Sequence, residues 1–237
     1  MRLILFLSVL FSLLTGCNAY QYLTISSDNR TVKTTNGFVE ENDSVKVVYR
    51  FSGYNGPLQL SIFNKLEEGV RIDWSRSFMI RGITSVPLYK PTELIQAELT
   101  RGGSYHYSGT TSAQFNVTIP ATSVEFLPPQ TEILRACAEA VAANHVLTDD
   151  LGGRNENLKI INEAGYGYKV RRTALSKEIS PVQFRVFLYF LPSEGNGPGW
   201  SIDRSFYVSE IIDMKTEPEL VFPETGEGNR IMLKAAM

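Results

Sequence analysis

The chain has 237 residues, 25 acidic against 23 basic, a formal net charge of −2, and is 43% hydrophobic and 11% aromatic. That balance supplies a sizeable core and excludes the strongly basic face that nucleic-acid binding needs. The two cysteines, Cys17 and Cys137, and the two histidines, His106 and His145, lie far apart in the sequence and do not form a Cys/His zinc cluster, whose ligands sit at short spacings, so neither a metal nor another cofactor is expected.

The chain opens with one cation, Arg2, followed by an apolar run over 3–14 broken only by Ser8 and Ser12. Such a run is too short for the ~20 residues of a bilayer-spanning helix. A charged start, a short apolar core and small residues at its end read instead as an export signal. The residues Leu14-Thr15-Gly16-Cys17 resemble the bacterial lipobox, with Leu three before the Cys and small residues between. The resemblance implies cleavage of residues 1–16, diacylglycerol on the Cys17 sulfur and acylation (palmitate or a similar chain) of its new amino group. An ordinary secretory signal and a Cys17–Cys137 disulfide, which an exported chain permits, are the competing readings. If Cys17 is lipidated, Cys137 is expected to be a buried thiol. Asn18 follows in place of the Asp that retains many such lipoproteins at the inner membrane. The expected address is therefore the outer membrane, facing the periplasm.

Residues 17–30 read as a lipidated tether leading into a first strand, "QYLTISS". "DSVKVVYRFSG" and "PLQLSIFNKL" follow, with apolar residues at every second position, the pattern of strands with one buried face. Asn55-Gly56 between them is a hairpin-turn signal. Further strands are expected at "GVRIDW", "SFMIRG", "LIQAELT", "AQFNVTIP" and "SVEFLP". Turn residues punctuate them at the spacing of a sandwich or barrel. Residues 131–146 are Ala-rich, which favours a short helix, although Ile133, Arg135 and Cys137 also fit a strand alternation. "LTDDLGGRNEN" reads as a polar loop. "PVQFRVFLYFLP" and "RSFYVSEII" read as two strong strands, and "RIMLKAA" in the tail reads as a last one.

The stretch from "VKVVYRFSG" through "RIDWSRSFMI" to "SVEFLPPQT" resembles Gram-negative envelope lipoproteins with immunoglobulin-like sandwiches, a family with no assigned activity. The resemblance rests on Asn64, Asp73, Trp74, Pro128, Pro129 and Thr131. The expected fold is mainly β, an immunoglobulin-like antiparallel sandwich over 31–214, with sub-halves 31–130 and 160–214 and a tail over 215–237.

No nucleophile-elbow Gly-x-Ser-x-Gly occurs, and the adjacent acid pairs Glu40-Glu41, Glu67-Glu68 and Asp149-Asp150 would point to opposite faces of a strand. His106 lies in a Gly/Ser/Tyr loop, and His145 ends the expected helix. "AGYGYK" lacks the third glycine of a phosphate loop. Trp200, Tyr105, Tyr107 and His106 are the candidate ligand-binding residues, because exposed aromatics offer apolar area with a polar handle. Two functions follow: a membrane-anchored, non-catalytic module that binds an envelope protein or glycan, or a hydrolase of an envelope polymer whose carboxylates are dispersed in sequence.

Overall fold

A computed structural model describes residues 20–28, 31–89, 92–100, 112–120, 122–141, 152–193, 197–222 and 227–234. Its first strands are β1 (Tyr20–Ser27), β2 (Val32–Thr34), β3 (Gly37–Glu41), β4 (Val45–Tyr54), β5 (Pro57–Asn64) and β6 (Val70–Asp73). A 3-10 turn (Trp74–Arg76) leads to β7 (Phe78–Arg81), β8 (Thr84–Pro87), β9 (Thr92–Thr100), β10 (Ser112–Pro120), β11 (Val124–Leu127) and β12 (Glu132–Glu139). After these come β13 (Arg154–Ile161), β14 (Gly167–Ala174), β15 (Gln183–Pro192) and β16 (Trp200–Met214). A one-turn helix α1 (Pro218–Val221) and β17 (Asn229–Lys234) close the described chain.

The protein is mainly β, and 15 of these strands form one sheet, while β9 and β10 pair only with each other. The sheet's spine runs β12, β5, β4, β17, β1, β16, β15, β6, β11. Its ladders are antiparallel except one, β17 on β4, which is parallel. That pairing corrects the purely antiparallel expectation. β17 enters from the tail after α1 and not through a hairpin, so nothing forces it to run against β4.

The two ends of the spine, β11 and β12, are consecutive in sequence, so the sheet must curl back on itself. Asn64 holds the seam. It is fully buried, and its side-chain amide donates to the carbonyls of Glu68 (2.8 Å), Leu127 (3.2 Å) and Pro128 (3.0 Å). Its Oδ1 accepts from the Leu66 amide at 3.0 Å. Thr131 Oγ1 donates to the Pro128 carbonyl at 2.9 Å. Asp73 accepts from the Ser75 and Arg76 amides and so caps the 3-10 turn. Asn64, Asp73, Pro128 and Thr131 are thus corners and caps of the curl, and Trp74 is fully buried in its core.

The inner face explains the alternation. Val45, Val47, Tyr49 and Phe51 of β4 and Leu58, Leu60 and Ile62 of β5 are all buried. They join Leu23, Ile25, Phe184 and Phe206 in one core, each worth about 1.5–3 kcal/mol of burial. Asn55 and Gly56 have φ of 60° and 61°, the left-handed pair that a two-residue hairpin needs.

The expected helix at 131–146 is corrected: Glu132–Glu139 is strand β12, paired with β5, and 142–146 lie outside the described residues. Ala propensity contributes only tenths of a kcal/mol per residue. The strand instead buries Cys137 and sets the Arg135 guanidinium 4.7 Å from the centre of the Trp74 ring. Glu125 accepts from both Trp74 Nε1 (2.8 Å) and Arg135 Nη1 (2.9 Å). Residues 154–157 of the expected polar loop form the start of β13.

Candidate functional site

Because Val45, Val47, Tyr49 and Phe51 of β4 face the core, Lys46, Val48 and Arg50 face outward. The registers extend this outer face across four strands. Val39, Val48, Ser61 and Leu134 form one cross-strand row. Arg50, Gln59 and Ala136 form a second, and Lys46, Phe63 and Glu132 a third. All of these residues except Phe63 line a groove of about 670 Å³. A cavity of about 440 Å³ continues it over Lys46, Ser61 and Phe63 to Lys65. The first volume is within the range of small-ligand clefts, about 300–1,000 Å³.

The groove has an apolar strip and a cationic wall. Leu134 is 76% exposed within it, in the same row as Val48 and Val39 but separated from them by Ser61. Arg50 Nε is buried with no hydrogen-bond partner among the described residues. Lys46 shares this wall. Arg135 is committed to Glu125 at 2.9 Å and Lys65 to Glu41 at 2.8 Å. The Lys65 hydrogen bond holds the Glu41 carboxyl below its ordinary value. Glu132 accepts from Ser61 Oγ. An extended segment that is partly apolar and negatively charged suits this lining.

A second cleft, of about 290 Å³, opens on the outer face of β1 and β16 between Tyr22, Ile160, Phe222, Glu210, Glu227 and Arg230. Phe222 stacks on Tyr22 with centroids 4.5 Å apart. Arg230 bridges Glu210 (3.4 Å) and Glu227 (3.0 Å), and Arg172 holds Glu210 at 2.5 Å. Burial alone would raise the Glu210 carboxyl. Hydrogen bonds from Arg172 and Thr24, with the charges of Arg172 and Arg230, outweigh it and hold the group below its ordinary value. This acid stays ionised and paired. Glu40 has the opposite shift: burial raises its carboxyl, and Arg204 opposes that without cancelling it. Glu40 sits inside the curl, away from both clefts.

Trp200, the one predicted ligand-binding residue among those described, is placed elsewhere. It begins β16, stacks on Phe190 at 5.5 Å with 13° between the rings, and packs against the core. Tyr105, His106, Tyr107, His145, Asp149, Asp150 and Cys17 lie outside the described residues. No helix among the described residues is long and apolar enough to cross a membrane. No group of three or more His, Cys, Asp or Glu among them could hold a metal ion. Sequence reading missed the groove because its residues are spread from 34 to 136 and are ordinary outward positions of four strands. The one signal was the cationic outward series Lys46, Arg50 on a strand whose inner face is wholly apolar.

No family model, curated protein or solved structure matches the chain.

Proposed function

We propose that the protein is an envelope lipoprotein, anchored through Cys17 in the outer membrane and facing the periplasm. In this reading its curled sheet is a non-catalytic binding or assembly module. The groove over β3, β4, β5 and β12 takes a negatively charged, chain-like segment of an envelope protein or glycan. The observation that carries this reading is the groove itself: an exposed Leu134 opposite a cationic wall in which Arg50 Nε has no partner among the described residues. A buried donor without a partner costs about 1–3 kcal/mol, and an anionic ligand relieves that cost.

The lipobox at 14–17 supports the anchor. We also read the curl as two facing layers of an immunoglobulin-like sandwich, a reading supported by the Asn64 corner and by the fully buried Trp74. The hydrolase alternative has one feature in its favour, the acid-lined cleft at Glu210 and Glu227. Against it, Glu210 is held ionised by two arginines, whereas glycoside hydrolysis needs one carboxyl kept protonated beside its partner.

The test is capture from envelope extract by the full lipoprotein. Wild type should retain a partner that Lys46→Glu with Arg50→Glu loses, with thermal unfolding unchanged. Equal capture by both would overturn the groove. Absence of acyl mass on Cys17 would overturn the anchor.

A further inference from the structure

We propose that the turn of the β13–β14 hairpin and helix α1 form a platform that seats on the lipid bilayer beside the anchor, with Ile161, Tyr166 and Leu220 entering the headgroup–acyl boundary. The proposal rests on the reading of Cys17 as the lipidated residue.

The registers place the platform and the anchor at one end of the sheet. Gln21, Asp213 and Arg171 share a cross-strand row. β14 runs antiparallel to β16, so the residues before Arg171 continue past that row in the direction in which the chain leaves Tyr20 toward Cys17. Gly167, where β14 begins, lies about 13 Å beyond the row at roughly 3.3 Å per residue. Only Asn18 and Ala19 separate Cys17 from β1, so the two Cα atoms of Cys17 and Tyr20 are at most about 11 Å apart. A lipidated Cys17 therefore brings the membrane surface to the level that the hairpin turn reaches.

The turn is built to hold a shape. Asn162 N donates to the Tyr166 carbonyl at 2.9 Å, and Tyr166 N donates back to Asn162 Oδ1 at 2.9 Å. Gly165 closes the turn at a φ of 83°. Asn162 Nδ2 also donates to the Leu220 carbonyl at 3.0 Å, which ties α1 to the hairpin. Ile161, Tyr166 and Leu220 are 66%, 67% and 57% exposed. Three large apolar side chains are thus held open around one end of the sheet, where a bilayer can cover all three. An aromatic with a polar tip suits the bilayer interface.

A second observation points to an anionic surface. Lys159 and Lys169 sit directly opposite one another one pair below Ile160 and Tyr168, and like charges at that spacing destabilise a ladder. Negatively charged headgroups relieve the conflict, because lysines close to an anionic leaflet are drawn to it. Of the acids at this end, Glu217 accepts from Tyr20 and Glu219 from Tyr54, at 3.1 and 3.2 Å. Glu163 lies in the turn itself.

The experiment uses the full lipoprotein with Cys137→Ala, reconstituted in phosphatidylcholine–phosphatidylglycerol vesicles. A fluorophore is attached at Ile161→Cys, at Tyr166→Cys, or at Ile83→Cys. Ile83 is wholly exposed on the turn after β7, whose Arg81 aligns through Phe184 and Phe206 with Ser27 at the far end of β1. Quenchers on the lipid chains should extinguish most of the fluorescence at 161 and 166 and leave 83 bright. Bright labels at all three sites, on protein whose Cys17 peptide carries acyl mass and which floats with the vesicles, would overturn the platform alone. Shielding at 161 and 166 in detergent that grows with protein concentration would also overturn it, in favour of a second copy of the chain. A Cys17 peptide without acyl mass would overturn the anchor, and the platform with it.

Discussion

Glu40 and Arg204, 164 positions apart, form an ion pair inside the curl of the sheet. Glu40 projects from β3 on the face that carries Phe38, and Arg204 projects from β16 on the face that carries Ile202 and Phe206, all three buried. The pair spans two walls of the core. Arg204 Nε has no hydrogen-bond partner among the described residues, and the hydroxyl of fully buried Tyr49 lies against the Glu40 carboxyl. Burial accordingly raises the Tyr49 hydroxyl well above its ordinary value.

Removing one partner leaves the other charge buried, at a cost of about 3–5 kcal/mol. Glu40→Gln and Arg204→Met should each lower stability by that order in urea unfolding. Glu40→Leu with Arg204→Met, which removes both charges, should recover most of it, because a well-packed apolar replacement is often neutral or better. A double variant no more stable than the singles would mean that the pair sets the curl. The pH dependence has a definite sign. The Glu40 carboxyl is raised above its ordinary 4.5, so the folded chain binds this proton more tightly than the unfolded chain. Its contribution to stability is present below 4.5 and is lost as pH rises through the folded value. Glu40→Gln should remove that component of the stability–pH curve.

Glu210 works in the opposite direction. Its carboxyl is held below 4.5 in the folded state, so its stabilisation is present above that value and is lost as pH falls through the lower folded one. Glu210→Gln should therefore lose stability near neutral pH and show a shallower acid-side decline than wild type. An unchanged acid limb in a thermal-unfolding pH series would show that the bonds from Arg172 and Thr24 do not persist in solution.

Asn64→Ala would take the side-chain donor from the carbonyls of Glu68 and Leu127, while Pro128 keeps its bond from Thr131 Oγ1, and would open the seam between β5 and β11. Each buried group left without a partner costs about 1–3 kcal/mol, so a loss of several kcal/mol is expected. Asn64→Asp should be about as damaging, because a carboxylate cannot donate to three carbonyls. Urea midpoints for both variants check this. A mild Asn64→Asp effect would mean that water reaches the corner.

The strands with one apolar face were legible because burial imposes a period of two, which β4, β5 and β15 obey throughout and β16 obeys up to the bulge after Val208. The Asn55-Gly56 turn was legible for the same kind of reason, since few other pairs take positive φ at both positions. β12 was not, because its helical bias is local whereas its ladder with β5 pairs Arg135 with Leu60, far off in sequence. β13 was hidden by its exposure: most of its residues face water, so no alternation marks it. The parallel ladder of β17 on β4 and the Glu40–Arg204 pair depend on the curl, which no short window of sequence contains. The groove shares that difficulty, since Lys46, Arg50 and Leu134 meet only after β12 has joined β5.

Trp200 tests the difference between a ligand-binding aromatic and a core edge. It pairs with Phe190 in the β15–β16 ladder and stacks on it at 5.5 Å, while its Nε1 is buried with no partner among the described residues. Trp200→Phe keeps an aromatic face on Phe190 and loses no hydrogen bond. It should cost about 1 kcal/mol, within the range of an aromatic pair's own contribution. Trp200→Ala removes the stack and leaves space at the edge of the core, and should cost about 2–4 kcal/mol, somewhat below a full core truncation. Neither variant should alter capture of an envelope partner, because Trp200 does not line the groove. The two tryptophans allow a direct comparison: Trp74→Phe also loses the 2.8 Å bond to Glu125 and should therefore be the costlier of the two phenylalanine variants. If Trp200→Ala unfolds at the wild-type urea midpoint and abolishes capture, Trp200 is a binding residue and its packing on Phe190 is incidental.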